Sequence, residues 1–258
     1  TMAVADFAFD EDAFFWGQER YMRKDVKTLT FQSSLQNVPS SAWDVSEAGD
    51  GSVLAWMDNG NLYVAADGAI APNPDAAWLF QDFVNMKTIN FGNCFDTSDV
   101  TRMRGMFNGC SSLTDLDLSG FDTSSVTDMR MMFQNCASLT SLDLPGFDTS
   151  SVTDMRVMFQ NCANLTSLDV SSFDTSNVID MGAMFANCER LTGLDLSGFD
   201  TSHVTNMAAM FCICEDLTSL DLTGFDTSNV ADMSNMFRSC TSLTNLNLSS
   251  FDASAVTK

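Results

Sequence analysis

Phenylalanine recurs every 26 residues at Phe95, Phe121, Phe147, Phe173, Phe199, Phe225 and Phe251, and cysteine keeps the same step at Cys110, Cys136, Cys162, Cys188, Cys214 and Cys240. Six units run from residue 95 to 250 without an insertion or deletion. A period this short and this regular constrains the fold more than composition does. One unit cannot bury its own apolar face, so the units stack into a solenoid and equivalent residues form columns along it. Function must therefore be sought column by column.

Within a unit, Leu113-Thr-Asp-Leu116-Asp-Leu118 has the L-x-x-L-x-L form of a leucine-rich repeat. Its alternation points Leu116 and Leu118 inward from a short parallel strand and turns positions 115, 117 and 119 to solvent. Val126, Met129, Met132, Phe133 and Cys136 follow at offsets 0, 3, 6, 7 and 10, the apolar face of a 3.6-residue period, and predict a short helix. The residues before Val (Asp99, Ser125, Ser151, Asn177, His203, Asn229) are expected as N-caps, with His203 the exception. Asp128, Asp154, Asp180 and Asp232 then sit near the positive end of the helix dipole. Gly109, Asn135, Asn161 and Asn187 occupy the left-handed C′ position, from which Ile213 and Ser239 are expected to depart. The fold class is α/β: a leucine-rich-repeat-like solenoid with one short parallel strand and one short helix per 26-residue coil, and an N-terminal cap.

Residues 1–94 are read as that cap, and residues 95–258 as six complete repeats plus a truncated seventh. The segment Phe80-Gln-Asp-Phe83-Val-Asn-Met86-Lys-Thr-Ile89-Asn-Phe91 overlays Phe133 to Leu144 and marks a degenerate first coil near 77–94. Val26-Lys-Thr-Leu29-Thr-Phe31 echoes Met86 to Phe91, and residues 51–68 have the pattern of a hairpin. Every Trp and Tyr lies in this N-terminal part. No run approaches the roughly 18 apolar residues of a spanning helix, the start lacks the order of a signal peptide, and the chain stops inside a repeat, so it reads as a piece of a longer protein.

The units Phe121-Asp-Thr-Ser-Ser-Val-Thr-Asp-Met and Met132-Phe-Gln-Asn-Cys136-Ala-Ser-Leu-Thr-Ser-Leu-Asp-Leu resemble the 26-residue repeat of BspA-like bacterial surface proteins, a branch of the leucine-rich repeats. Ala42-Trp-Asp-Val-Ser, with Gly51-Ser-Val-Leu-Ala-Trp through Leu62-Tyr-Val-Ala-Ala-Asp-Gly, resembles the segment that introduces such arrays. The resemblance implies a secreted or cell-wall-associated, adhesin-like protein of host-associated bacteria or mycoplasmas, and it brings no catalytic residues.

Charge and composition narrow the function further. Twelve Lys and Arg against 34 Asp and Glu leave a formal charge of −22, which repels phosphate backbones and anionic lipid, and a single His removes imidazole-based metal and nucleophile chemistry. No cofactor and no metal ion are expected. The Cys column could form a disulfide or metal ladder, but parallel Cβ vectors favour buried free thiols. Cys94 and Cys212 fall outside it, and Cys212, far round the expected helix from its apolar face, is expected as an exposed thiol. Met pairs such as Met129 with Met132 fill the space between helix and sheet.

Two columns are candidate sites. Asp117, Asp143, Asp169, Asp195 and Asp221 stack like charges on the strand face, to be relieved by hydration and counterions with raised pKa values, by Ca2+, or by a basic partner. A second acidic column, Asp96 through Asp252, sits in Asp-Thr-Ser turns where backbone N–H groups satisfy it. Arg104, Arg130 and Arg156 form the basic column, and with Met131, Gln134, Val157 and Gln160 they make a candidate partner-binding patch. Its bland alternative is an Arg column tied to Asp128 and Asp154. The expected function is a non-enzymatic recognition module at the cell surface or secreted, binding a host or neighbouring-cell protein or glycan. The alternatives are a structural spacer and, far behind, an enzyme with paired carboxylates, which translationally equivalent Asp columns do not favour.

Overall fold

The computed structural model describes residues 1–2, 10–144 and 146–258; residues 3–9, inside the region expected to form the cap, lie outside the described residues. The first sheet explains itself from sequence pattern. β1 (Thr28–Gln32), β2 (Trp43–Asp44), β3 (Val53–Asp58), β4 (Asn61–Ala66) and β5 (Thr88–Asn90) lie in the order β2-β3-β4-β1-β5. β3 and β4 form an antiparallel hairpin through Asn59-Gly60, both at positive φ (50° and 88°), the backbone that an Asn-Gly turn adopts most readily. β1 pairs in parallel with β5 in the register Thr28↔Thr88 and Leu29↔Ile89, the register of the sequence echo between these segments.

From β5 onward the chain becomes a regular coil. Thr88 bridges Asp115, and β6 (Ser141–Asp143) with β7 (Ser167–Asp169), then β8 (Ser219–Asp221) with β9 (Asn245–Asn247), pair in parallel one coil apart. The alternation expected for Leu113 to Ser119 holds: Leu113, Leu116 and Leu118 are buried, and residues 115, 117 and 119 are exposed. Residues 76–82 pair with 102–108 through Ala76, Trp78, Phe80 and Asp82, whose N–H groups donate to Arg102, Arg104, Met106 and Asn108.

The expected helix is absent. Among the described residues the only helical segment is one 3-10 turn, Arg23–Asp25. A helix would spend each N–H on a carbonyl four residues earlier in its own coil. Here Met129, Met131, Phe133 and Asn135 instead donate to Asp154, Arg156, Met158 and Gln160 of the next coil at 2.9 to 3.4 Å. The intervening N–H groups close tight turns, Met132 to Met129, Gln134 to Met131 and Cys136 to Phe133. A succession of turns returns the chain to the core every three or four residues, so it yields the same apolar spacing as a helix. A lone helix of about ten residues is marginal in water, whereas a ladder repeated coil after coil is cooperative.

The capping expectations change with the helix. Ser151, Asn177 and Asn229 do not cap anything; their side chains donate back to the carbonyls of Ser124, Ser150 and Ser202 in the preceding coil. Asp128, Asp154, Asp180 and Asp232 face no helix dipole and accept from the backbone N–H two residues on, at Arg130, Arg156, Gly182 and Ser234. Gly109, Asn135, Asn161 and Asn187 do adopt positive φ, as expected for that column, but so do Ile213 (60°) and Ser239 (61°), which therefore do not depart. A second left-handed column four residues earlier, Gly105, Met131, Val157, Ala183, Ala209 and Asn235, was not foreseen.

Between the two ladders lies the core. Phe107, Phe133, Phe159, Phe185, Phe211 and Phe237 stack in register with centroids 5.5 to 5.8 Å apart and ring planes within 3 to 7°. Met129, Met132 and their equivalents through Met210 are fully buried around them. No helix among the described residues is long and apolar enough to cross a membrane.

A β-branched side chain at positive φ costs on the order of 1–2 kcal/mol, which Asn largely avoids. Ile213→Asn restores the residue this column carries in three other coils, so we expect it to raise unfolding stability by about 1 kcal/mol. Chemical denaturation of the two proteins measures this, and a loss of stability would mean that the half-buried Ile213 side chain outweighs its backbone.

Candidate interaction surfaces

The Cys column faces inward and is spent on structure. Cys110, Cys136, Cys162, Cys188, Cys214 and Cys240 are free, and each Sγ donates to the carbonyl of a Phe in the preceding coil at 3.0 to 3.3 Å, from Phe80 to Phe211. Burial pushes the thiols up, Cys162 and Cys214 to about 12. Cys212 is buried rather than exposed: without a helix it sits in the turn ladder, its N–H donating to Ala209 and its carbonyl accepting from Asn187, and the equivalent Asn108 and Ala186 are buried too. Cys94 is buried as well.

On the strand face, Asp117, Asp143, Asp169, Asp195 and Asp221 are exposed, as the alternation requires. For Asp117, Asp169, Asp195 and Asp221 the expected rise in pKa is not what the geometry produces. The hydroxyl and backbone N–H of Ser119 and Ser171 hold Asp117 and Asp169 below the ordinary carboxylate value, and the backbone N–H and hydroxyl of Ser197 and Thr223 do the same for Asp195 and Asp221. Local donors thus outweigh the repulsion between coils, because the N–H lies about 3 Å from Oδ1 while the neighbouring charge is a whole strand step away in water. The turn column behaves alike: Asp96, Asp122, Asp148, Asp174, Asp200, Asp226 and Asp252 each accept the N–H two residues on at 2.8 to 3.0 Å. Among the described residues no group of three or more His, Cys, Asp or Glu is placed to hold a metal ion.

The turn-ladder face gathers the basic column. Asp128, Arg130, Asp154, Arg156 and Asp180 form one row: Arg130 pairs with Asp128 and reaches Asp154 at 3.5 Å, and Arg156 pairs with Asp154 at 2.8 Å and reaches Asp180 at 3.5 Å. Burial raises the Asp128 pKa, but hydrogen bonds and charge from Arg130 outweigh it and hold the carboxyl low. Arg104 differs from the other two, lying over the Trp78 ring with its guanidinium carbon 5.2 Å from the centroid. Met131 and Val157 are half-buried on this face between the charge row and two amide ladders. In one ladder Asn108 donates to Gln134 and Gln134 to Gln160; in the other Asn187 donates to Asn161 and Asn161 to Asn135. The amide ladders escaped the sequence reading, although the in-register Asn and Gln were visible, because a helix would have aimed them elsewhere.

Two expected outcomes follow. In native protein the seven buried Cys, Cys212 included, should not react quickly with a thiol reagent and only the half-buried Cys240 should label faster, while denatured protein should expose all eight without reductant; rapid labelling of a native thiol other than Cys240 would show that its burial is wrong. Carboxyls with lowered native pKa values contribute stability that is complete above their ordinary pKa of 3.8 and is lost as pH falls through the native values. Unfolding stability should therefore fall between about pH 4 and pH 2, and less steeply in Asp169→Asn, which keeps the acceptor but has no charge to lose.

A family model described as Mycoplasma protein of unknown function, DUF285, matches residues 75–193 and again 163–258, together well over half of the chain. No curated protein matches it. Two solved structures are similar: a leucine-rich repeat protein of T. pallidum (14% identity, TM-score 0.36, 85% of this chain and 78% of that one) and a leucine-rich repeat protein from Bacteroides ovatus (14% identity, TM-score 0.23, 96% and 81%). At such scores the likeness carries no argument.

Proposed function

From the premise that the chain belongs to the DUF285 family, we propose that it is a non-enzymatic recognition module of a bacterial surface or secreted protein, adhesin-like in the manner of the BspA-like repeats it resembles. Its partner is a protein or glycan of a host or neighbouring cell. The observation that carries this reading is the row from Asp128 to Asp180. Three carboxylates and two guanidinium groups leave it nearly neutral on a molecule of formal charge −22. Beside it, Met131 and Val157 are held by the backbone ladder on a flat, preorganised face, the combination of Arg and apolar anchors that interfaces favour. The acidic strand face, by contrast, repels most cell-surface macromolecules.

Catalysis has little support in the same geometry. An acid and a base need environments that split their pKa values, whereas the repeat carboxyls with shifted values move the same way for the same cause. Asp82 is raised by burial, but its side chain is tied to Gln81 within the first coil. The uniform Phe stack favours a second reading, a stiff spacer that presents another domain.

Immobilised protein presented to cell-surface proteins and glycans should retain a partner, and Met131→Lys or Val157→Lys should weaken it about tenfold or more without lowering the unfolding midpoint. An unchanged Kd would move the site off this face, and no specific partner at all would favour the spacer.

A further inference from the structure

The N-terminal region holds a cavity of about 430 Å3 lined by Gln18, Glu19, Arg20, Tyr21, Ser40, Ser41, Ala42 and Trp43, a size within the range of small-ligand sites. Its wall is aromatic. Tyr21 and Trp43 lie 6.1 Å apart at 35°, both half-buried, and Trp43 is backed by the fully buried Phe15 ring. The indole Nε1 of Trp43 is shielded from solvent and has no hydrogen-bond partner among the described residues, so it offers the cavity no accessible donor.

The rim is polar, and the two backbone turns that carry it are fixed in place. The Gln18 side chain is wholly consumed by its own loop: Oε1 accepts from the N–H of Arg20 and Tyr21 at 2.7 and 2.8 Å, and Nε2 donates to the carbonyls of Phe15 and Tyr21. On the other side the turn closed by Ala42 N–H and the Pro39 carbonyl presents Ser40 and Ser41, and Asp44, accepting from Ser46 and Gly51, anchors the strand that carries Trp43. The ordering cost of binding is thereby reduced in advance.

We infer that this cavity is a binding site for a neutral saccharide of one or two rings. The aromatic wall suits the apolar C–H face of a sugar ring, and Glu19, Arg20, Ser40 and Ser41 together supply the donors and acceptors that adjacent hydroxyl groups require. The formal charge of −22 disfavours phosphorylated and acidic sugars. The inference rests on the recognition reading above and names a ligand class for it at a site separate from the Met131–Val157 face.

Saturation-transfer NMR on the full chain with a panel of neutral mono- and disaccharides tests it, with sialylated and uronic-acid sugars and short peptides as comparison probes. At least one neutral saccharide should bind saturably below about 10 mM. Tyr21→Ala, and Ser41→Tyr, which fills the mouth from an exposed position, should each weaken it about tenfold, while Val157→Lys leaves it unchanged. No binding by any neutral sugar, binding confined to acidic sugars or peptides, or binding indifferent to both rim variants would overturn the inference. A macromolecular partner that still depends on Val157 while no sugar binds rejects the cavity alone. Sugar binding without any such partner supports the cavity and rejects the docking face.

Discussion

The inter-coil backbone ladder of the turn segment is the interaction on which the rest of this structure depends. Because the N–H groups at positions such as 129, 131, 133 and 135 reach forward to the next coil, the chain between them must fold back in tight turns, and two residues per coil must adopt positive φ. Each coil is thereby held in register with the next along the turn segment. The in-register Phe stack is a consequence: rings anchored at Phe133 and Phe159 lie parallel because their backbones are hydrogen-bonded one coil apart.

The ladder also creates a demand for polar satisfaction inside a narrow core, and the repeated side chains meet it. Thr97, Thr123, Thr149, Thr175, Thr201 and Thr227 are buried, and each hydroxyl donates to a carbonyl of the following coil at 2.8 to 3.0 Å. Cys thiols reach the other way, to Phe carbonyls of the preceding coil. An unpaired buried carbonyl costs about 1–3 kcal/mol, so a column of small donors repeated through the stack is a large part of what makes one coil fit the next. Repeating the stitching leaves the positions outside it free to vary, as in the column where the half-buried Arg130 and Arg156 give way to Gly182, Ala208 and Ser234.

The surfaces follow from what remains unspent. Asp carboxylates in the turns and on the strand face accept local N–H groups, so their charge is fixed in place but their hydrogen-bonding capacity is partly used. The charge row from Asp128 to Asp180 is cancelled internally but for one carboxylate. Every Trp and Tyr lies in the N-terminal part, with the half-buried ones in the Trp56–Tyr63 stack and beside the cavity at Tyr21 and Trp43. The repeats thus offer a rigid, flat face, and the N-terminal part offers a concave one.

Much was legible in the sequence because a solenoid makes its contacts between equivalent residues, and a fixed period states which residues those are. The 26-residue step, the inward alternation at Leu113 to Leu118, the inward Met, Phe and Cys columns, the Asp-Thr-Ser turns and the left-handed Asn column all follow from spacing and side-chain chemistry, although residues 113–118 form a single bridge at Asp115 and not the expected strand. The conformation of residues 126–136 did not, since a helix and a chain of turns bury the same offsets and differ only in where their N–H groups go. That destination lies in the neighbouring coil. With it went the N-caps, the exposure of Cys212, the direction of the Asp pKa shifts and the amide ladders, all set by partners 25 to 29 residues away or by local turn geometry. Periodicity determined which residues face the core; only the stacked structure decided how the backbone pays for putting them there.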